Sequence, residues 1–574
     1  MDQKQVAAVL HEIGVLLELS GEQPFKSRAY YNGARTVEML TEDLEQLVAD
    51  GKLEALPGIG KTLAANITEL VTTGRMQYHE ELKAAIPAGV LELLRIPNLG
   101  PKKARVLYRE LGITSIGELE YACKENRLIT LKGFGAKTQE KLLAGIEYLK
   151  RFQGHYRLDE AWSQAVEMLD ELKNHAGVVE AEIAGSIRRA GEIVKDVDLV
   201  AGAREPAQVT AYFIGLPQVE EVVAREDARA RVKLQSGITA DLLVVEPHQF
   251  VYALHHCTGS RAHLEALEEL AKNMKLTVNE YGIFHGDELL RCGHEEELYR
   301  TLGLDYIPPE LRENLGEIEA SLAGRLPHLV EMTDIKGVFH VHTDYSDGSH
   351  TLEQMVAGAV QKGYRYIGIA DHSQSAFYAG GLKEADIRRQ HEEIRSLQEK
   401  YPEILIFKGI EADILADGSL DYDDEILALF DFVIASVHHF QPGKDLTERL
   451  LKAVSHPAVT ILGHPTGRLL LAREGYRVDM EAVLAALRQY QVAVELNASP
   501  ARLDLDWRYF RRAKELGVKV SINPDAHRVE DLDHTFYGVL MARKGWLEAG
   551  DVFNAMGPRK MKRYLEERRS RWAG

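Results

Sequence analysis

Seven short apolar runs in the second half of the chain alternate with helical segments, and this alternation limits the possible fold more than any other feature. The runs are Gly337 to His342, Tyr366 to Asp371, Ile404 to Glu411, Phe432 to His438, Val459 to His464, Val492 to Asn497 and Val518 to Asp525. Apolar runs separated by helices form parallel strands, because a parallel pair needs a long crossover. About seven such units predict a closed or nearly closed α/β barrel. Near the ends of the runs stand His340, His342, His372, Glu411, His438, His464, Asp525 and His527, and Asp347 follows the first run. Barrel chemistry is built at strand ends. A single histidine is most simply a surface or core residue. Recurrence at successive strand ends is not explained that way and predicts a metal cluster. His439, His456 and His534 read as structural neighbours of it.

The first 150 or so residues read instead as helices, including Val6 to Leu19, Thr62 to Val71 and Lys102 to Leu111. Glycine turns join them: Leu56-Pro57-Gly58-Ile59-Gly60-Lys61, Ile96-Pro97-Asn98-Leu99-Gly100-Pro101-Lys102, and a looser third copy, Leu131-Lys132-Gly133-Phe134-Gly135-Ala136-Lys137. Such a turn lets a phosphate approach the backbone, where the free N–H groups of a helix start point at it. Gly60-Lys61-Thr62 resembles the end of a P-loop, but Ala55 stands where that motif requires glycine. A packing joint explains one copy. Three copies predict contacts to a nucleic-acid backbone through Gly58, Gly60, Lys61, Gly100, Lys102, Gly133 and Gly135.

From Leu158 the pattern changes to a helix reaching Leu172, then strand-like runs at Val178 to Ile183, Val197 to Ala201, Arg231 to Leu234 and Thr239 to Val245. Helical text returns at Arg261 to Met274. Asp196 and Asp198 flank Val197, so in a strand both carboxylates face one way. Like charges so placed need a cation between them, as in magnesium-dependent nucleotidyl transfer. Asp241 lies in another apolar strand, where an unpaired charge is costly. Upstream, Gly185-Ser186-Ile187-Arg188-Arg189 offers backbone, hydroxyl and guanidinium donors for phosphate. A charged strand edge that resists aggregation is the plainer reading of an Asp-x-Asp pair alone.

Length and composition add bounds. A chain of 574 residues is too long for one core. Three scattered cysteines, Cys123, Cys257 and Cys292, give neither a disulfide framework nor a Cys-based zinc motif, which fits a reducing cytoplasm. No apolar run approaches the ~18 residues of a membrane helix, and the first residues do not read as a signal peptide. The net charge of −19 argues against a non-specific nucleic-acid coat but leaves local phosphate contacts open. Ile307-Pro308-Pro309-Glu310 to Leu329 is the expected seam between halves.

Gly185-Ser186 with Arg188-Arg189, Asp196-Val197-Asp198, Asp241 and Thr258-Gly259-Ser260 together resemble the DNA polymerase X family, whose best-known member is DNA polymerase beta. The turns resemble helix-hairpin-helix motifs. The series His340-x-His342, Asp371-His372, Glu411, His438, Gly463-His464-Pro465, Asp525-x-His527 resembles the polymerase and histidinol phosphatase (PHP) family. In that order the two resemble bacterial-type PolX proteins along nearly the full chain. The resemblance implies a multidomain chain: helical domains with helix-hairpin-helix motifs at 1–80 and 81–155, an α+β nucleotidyltransferase palm at 156–250 and thumb at 251–318, a linker at 319–334, and a distorted (β/α)7 PHP barrel at 335–574.

The same resemblance implies Asp196, Asp198 and Asp241 as ligands of two Mg2+ ions, and Gly185, Ser186, Arg189, Thr258 and Gly259 around a nucleotide triphosphate. In the barrel it implies up to three ions, Mn2+ or Zn2+: one on His340, His342, Glu411 and Asp525, one on Glu411, His438 and His464, and one on Asp347, His372 and His527. The partners implied are gapped or primed duplex DNA and dNTPs, with no membrane and a monomeric chain. Bacterial-type PolX proteins are associated with gap filling in DNA repair and a manganese-dependent 3′→5′ exonuclease, and some also cut at abasic sites. Several positions depart from the polymerase pattern: His256-Cys257 replace Tyr-Phe, Leu264 an asparagine, Glu268 an arginine, and Leu243 a common arginine. Asn66 replaces the lyase lysine of beta-type members. These departures predict a polymerase that is weak or unusual in selectivity, with nuclease activity ahead of it and no Schiff-base chemistry at Asn66. The alternatives are a DNA-binding nuclease with a non-functional polymerase core, and a small-molecule phosphatase with the front half as scaffold.

Overall fold

A computed structural model describes residues 3–572 except 41, 98, 126, 129–130, 132, 152–153 and 440–443. Asn98 and Lys132 of the glycine turns thus lie outside the described residues. Two compact units divide the chain, residues 1–153 and 154–574.

The first unit is helical. Helix Gln3–Ser20 serves two cores at once: Val6, Leu10, Ile13 and Leu17 recur at helical spacing and enter one, while Leu16 and Leu19 enter the other. The glycine turns open helices Lys61–Thr73, Pro101–Leu111 and Ala136–Arg151. Gly60 and Gly100 are the extended N-caps of the first two. Gly58 and Gly133 are left-handed, at φ +78° and +89°, where a side chain is strained. Gly60, Gly100 and Gly135 have ordinary φ, and a Cβ added to any of them meets nothing within 4 Å. Internal packing does not demand glycine at these three positions.

The second unit begins with helix Leu158–Asn174, which packs on a mixed five-stranded sheet. Its strand order is Val178–Ile183, Asp196–Ala203, Thr239–Val245, Arg229–Leu234, Val219–Arg225. The two central strands run parallel, with Asp198 beside Asp241. Helices Phe250–Thr258 and Arg261–Asn273 follow, then a small antiparallel sheet of Thr277–Asn279, Gly282–His285 and Glu288–Leu290.

The expected seam, Ile307 to Leu329, is closely packed. Arg312 is fully buried, with Nη1 donating to Glu295 at 2.6 Å and Nε to the Ile307 carbonyl. Arg543 of the barrel donates to Glu310 and to the Val330 carbonyl. Pro308 precedes a short 3-10 turn, Pro309–Leu311.

The barrel strands are Gly337–Val341, Tyr366–Ile369, Leu405–Asp413, Phe432–Ser436, Val459–Leu462, Ala493–Asn497 and Val520–Asn523, all parallel and in sequence order. First and last strands meet where Val341 bridges Ala526, which nearly closes the barrel. Phe339, Tyr366, Phe407, Phe432 and Phe553 form a core of their own with Met561 and Leu565 of the C-terminal helix Pro558–Ser570. Tyr366 and Phe432 begin their strands, so this core plugs the N-terminal end of the barrel and leaves the C-terminal strand ends for chemistry. No helix among the described residues is long and apolar enough to cross a membrane.

Candidate metal centres

Asp196, Asp198 and Asp241 come together as expected: each offers an oxygen within 4.8 Å of the others. Alternation along one strand and parallel register with the next put all three on one face. Burial, then Asp196 and Asp241, pushes the Asp198 carboxyl up to about 7. Asp241 accepts from Arg231 Nε at 2.7 Å, while its buried Oδ2 forms no hydrogen bond. Gly185 is left-handed at φ +61°, and a Cβ there would lie 1.8 Å from Asp198 Oδ2, so only glycine fits. A cavity of about 530 Å3 opens beside the triad, lined among others by Asp198, Arg229, Asp241, Leu243, His256 and Cys257. Three of the departures from the polymerase pattern, Leu243, His256 and Cys257, therefore face one space. Leu264 lies on Gly259, where an added Cβ would come within 2.8 Å of it.

The expected phosphate-binding residues are already engaged. Arg189 donates from Nη1 to the Thr258 carbonyl at 2.7 Å and from Nε to Glu313 at 3.1 Å. Arg188 donates to Thr258 Oγ1 and to Glu295. Ser186 sits half-buried in the short helix Gly185–Arg188. In the first unit, Asn66 Nδ2 donates to the Tyr30 hydroxyl at 2.6 Å. An amide forms no Schiff base. Borohydride treatment of the chain on a 5′-deoxyribose-phosphate end is therefore expected to trap no covalent adduct, and a trapped adduct would contradict this.

The barrel residues converge around Glu411. His340 Nε2 and His438 Nε2 each lie 3.2 Å from its Oε1 and His464 Nε2 3.0 Å; His372 Nδ1 lies 2.9 Å from its Oε2. His340 and His342 approach Asp525 Oδ1 at 3.5 and 3.3 Å. Asp347 meets His372 at 3.5 Å and His527 at 3.4 Å. Their donor atoms form four overlapping groups, each within 4.8 Å: His342, Asp347, His372 and His527; His340, His342 and Asp525; His340, Glu411 and His464; His372, Glu411 and His438. All nine residues named as barrel ligands from the sequence converge, but in other groupings than expected: His464 joins His340 and Glu411, and His438 joins His372 and Glu411. His340 and Asp525 adopt left-handed φ of +60° and +51°, a strain that non-glycine residues bear where the surroundings over-determine it, commonly at functional sites.

The donor set fits cations. His340 Nε2, both ring nitrogens of His342, and Glu411 Oε2 are buried without a hydrogen bond, an expensive state unless another ligand meets them. Burial, then His527 and His372, depresses His342 to about 3, so its imidazole is neutral, the form that binds metal. Burial opposes charge on Glu411, but His438, His340 and His372 hold it well below the usual carboxylate range. Mixed imidazole and carboxylate donors suit manganese or zinc better than magnesium.

Residues outside the expected ligand sets hold these ligands in place. Glu495 accepts from His340 Nδ1, from the His464 backbone N–H and from Asn523, which turns His340 Nε2 inward. Asp413 pairs with His438 Nδ1. Asn497 donates to Asp525 at 2.9 Å. Asp371 gathers the Thr343 backbone, two hydroxyls and Gln390, shaping the turn that carries Asp347. A buried acid in an apolar run, the signal that singled out Asp241, was present at Glu495 as well.

Family models match four parts of the chain: a helix-hairpin-helix domain at 1–76, a SAM-like helix-hairpin-helix tandem at 90–147, the DNA polymerase beta thumb at 253–313 and the PHP domain at 339–499. The "DNA polymerase/3'-5' exonuclease PolX" of Bacillus subtilis (strain 168) is 36% identical over 572 residues, 99% of this chain and 100% of that protein. A "Probable phosphatase" of Thermoanaerobacter sp. (strain X514) is 30% identical over 255 residues, 41% of this chain and 96% of that protein. Another, from Shewanella sp. (strain MR-4), is 30% identical over 200 residues. The phosphatases match only part of this chain, whereas the likeness to PolX extends from the helical hairpins through the carboxylate triad to the barrel: the chain belongs to the PolX family, joining an X-family polymerase core to a PHP domain.

Proposed function

We propose that this chain fills short gaps in DNA with its carboxylate triad and removes nucleotides from DNA 3′ ends with its barrel. The observation that carries this reading is the convergence of two separate ligand sets, one of carboxylates alone and one of imidazoles with carboxylates. The first would hold Mg2+ on Asp196, Asp198 and Asp241. The second would hold up to three Mn2+ or Zn2+ ions on His340, His342, Asp347, His372, Glu411, His438, His464, Asp525 and His527. Such ions, when bound, polarise phosphoryl oxygens and offset developing negative charge.

The chain's own residues do the rest. Gly185 leaves no side chain between Asp198 and an arriving phosphate. Arg189 uses Nε and one N–H of Nη1 on protein acceptors, so three of its five N–H groups stay available to a triphosphate. In the barrel, burial is graded: His340 and His342 are sealed, whereas Asp347 and His527 are 33% and 35% exposed, so a DNA end would enter from their side. Glu495 and Asp413 fix the ring nitrogens of His340 and His438 that face inward. In the helical unit, the open space above Gly60, Gly100 and Gly135 admits a DNA backbone, with Lys61 and Lys102 beside it. Full-length similarity to PolX favours this reading over a lone phosphatase.

A one-nucleotide gapped duplex with a labelled primer tests it. With dNTPs and Mg2+ the primer is expected to lengthen by one nucleotide; with Mn2+ and no dNTPs it is expected to shorten from its 3′ end. EDTA stops both. A 3′ terminus left intact in Mn2+, by a protein that binds no ion, would overturn the reading.

A further inference from the structure

The segment carrying the polymerase residues is gripped by the barrel at two points. At one, Lys544, the last residue of the barrel helix Thr535–Lys544, donates from Nζ to Glu313 Oε1 at 2.6 Å and to the Arg189 carbonyl at 2.8 Å. The same Glu313 oxygen accepts from Arg189 Nε at 3.1 Å. Lys544 is only 4% exposed and lies 5.0 Å from the centre of the Trp507 ring. Three residues beyond Arg189, Glu192 is held by two more barrel cations, Arg468 at 3.3 Å and Arg508 at 3.1 Å. Arg468 is itself fixed by Asp506 and by the carbonyls of Arg502 and Leu503.

Between the two grips the chain turns through Ala190, a non-glycine residue at φ +53°. Such a conformation persists where neighbours over-determine it. A buried ammonium is costly unless paired, and this one is spent on a carboxylate and a carbonyl that both belong to the surroundings of Arg189.

We propose that Lys544 is a positioning residue of the polymerase site: through Glu313 and the Arg189 carbonyl, the barrel fixes the guanidinium that meets the phosphates of the incoming nucleotide. This rests on the reading of Arg189 as a phosphate-binding residue. With Nε and Nη1 tied down, the remaining N–H groups of Arg189 are presented in one orientation, so nucleotide binding does not have to order a free side chain. The barrel thereby serves both reactions, its cluster for hydrolysis and its outer face for synthesis.

The test uses the full-length protein on a one-nucleotide gap in Mg2+, comparing Arg189→Ala, Lys544→Met, Lys544→Arg and the double variant R189A/K544M. Lys544→Met is expected to raise the KM for dNTP about tenfold with kcat within about twofold, and Lys544→Arg to restore most of it. The double variant is expected to be no worse than Arg189→Ala alone, because both changes remove one device. Hydrolysis of bis(p-nitrophenyl) phosphate in Mn2+ by the barrel is expected to stay unchanged; a merely structural role would lower both activities together. If Lys544→Met does not fold, Glu313→Gln removes the same tether and is expected to shift KM alike. An unchanged KM in Lys544→Met or Glu313→Gln while Arg189→Ala raises it refutes the positioning role and leaves the reading of Arg189 intact. Full additivity in the double variant refutes it too. An unchanged KM in Arg189→Ala removes that reading, and the positioning role with it.

Discussion

Replacing Glu411 with glutamine is expected to lower removal of 3′ nucleotides by roughly 10^3-fold while gap filling stays at its wild-type rate. The carboxylate stands at the centre of the barrel cluster, within 3.2 Å of His340, His372, His438 and His464. It is also the one residue shared by two of the expected cation sites. Glutamine keeps the volume but removes the negative charge, so two of the expected ligand sets would lose the carboxylate they share. The charge stabilisation at stake is several kcal/mol, and about 4 kcal/mol corresponds to ~10^3-fold in rate. Glu495→Gln acts one layer out, by loosening the tautomer of His340, and is expected to cost ~10- to 100-fold. Metal content per folded chain, measured alongside digestion of a labelled 3′ end, separates lost ligation from lost folding. A Glu411→Gln protein that retains full metal content and digests at the wild-type rate would remove Glu411 from the mechanism.

Much of the barrel was legible because its physics is local. Each strand buries both faces, so it reads as an apolar run, and the run stops where a polar ligand begins. The expected run Phe432 to His438 and the observed strand Phe432–Ser436 differ by two residues at the end that carries the ligand. The same cue failed for the strand Val219–Arg225. It lies at a sheet edge with all but its first residue exposed, so no alternation marks it. The small thumb sheet, with strands of three and four residues, is too short for a periodic signal. Site residues divide in the same way. Metal ligands announce themselves by type and recurrence, whereas the partners of Arg189 come from 124 and 355 residues away, and no local pattern encodes such a meeting. The packing across the expected seam was not legible, because a Pro-Pro pair breaks helices whether or not a joint is loose. Burial of Arg312 against Glu295 is a tertiary fact.

Asp198→Ala is expected to produce the converse result, abolishing primer extension by at least ~10^3-fold and leaving 3′ digestion by the barrel intact. Asp198 sits between Asp196 on its own strand and Asp241 on the next, so its removal opens the ligand set from the middle. Because little covalent work falls to the protein in phosphoryl transfer, positioning and charge neutralisation are nearly all it supplies. The carboxyl also predicts a pH dependence. Burial and its two acidic neighbours push it up to about 7, so below that pH the metal-free site holds a proton that a cation must displace. The sign follows: the apparent affinity for Mg2+ falls as pH drops, approaching tenfold per unit well below 7, and levels off above about pH 8. Half-saturating Mg2+ for extension, measured from pH 6 to pH 9, is therefore expected to be about tenfold higher at pH 6 than at pH 8. An Mg2+ requirement flat across that range would show that Asp198 binds its cation without competition from a proton, and that the crowding of the three carboxylates is relieved by some other group.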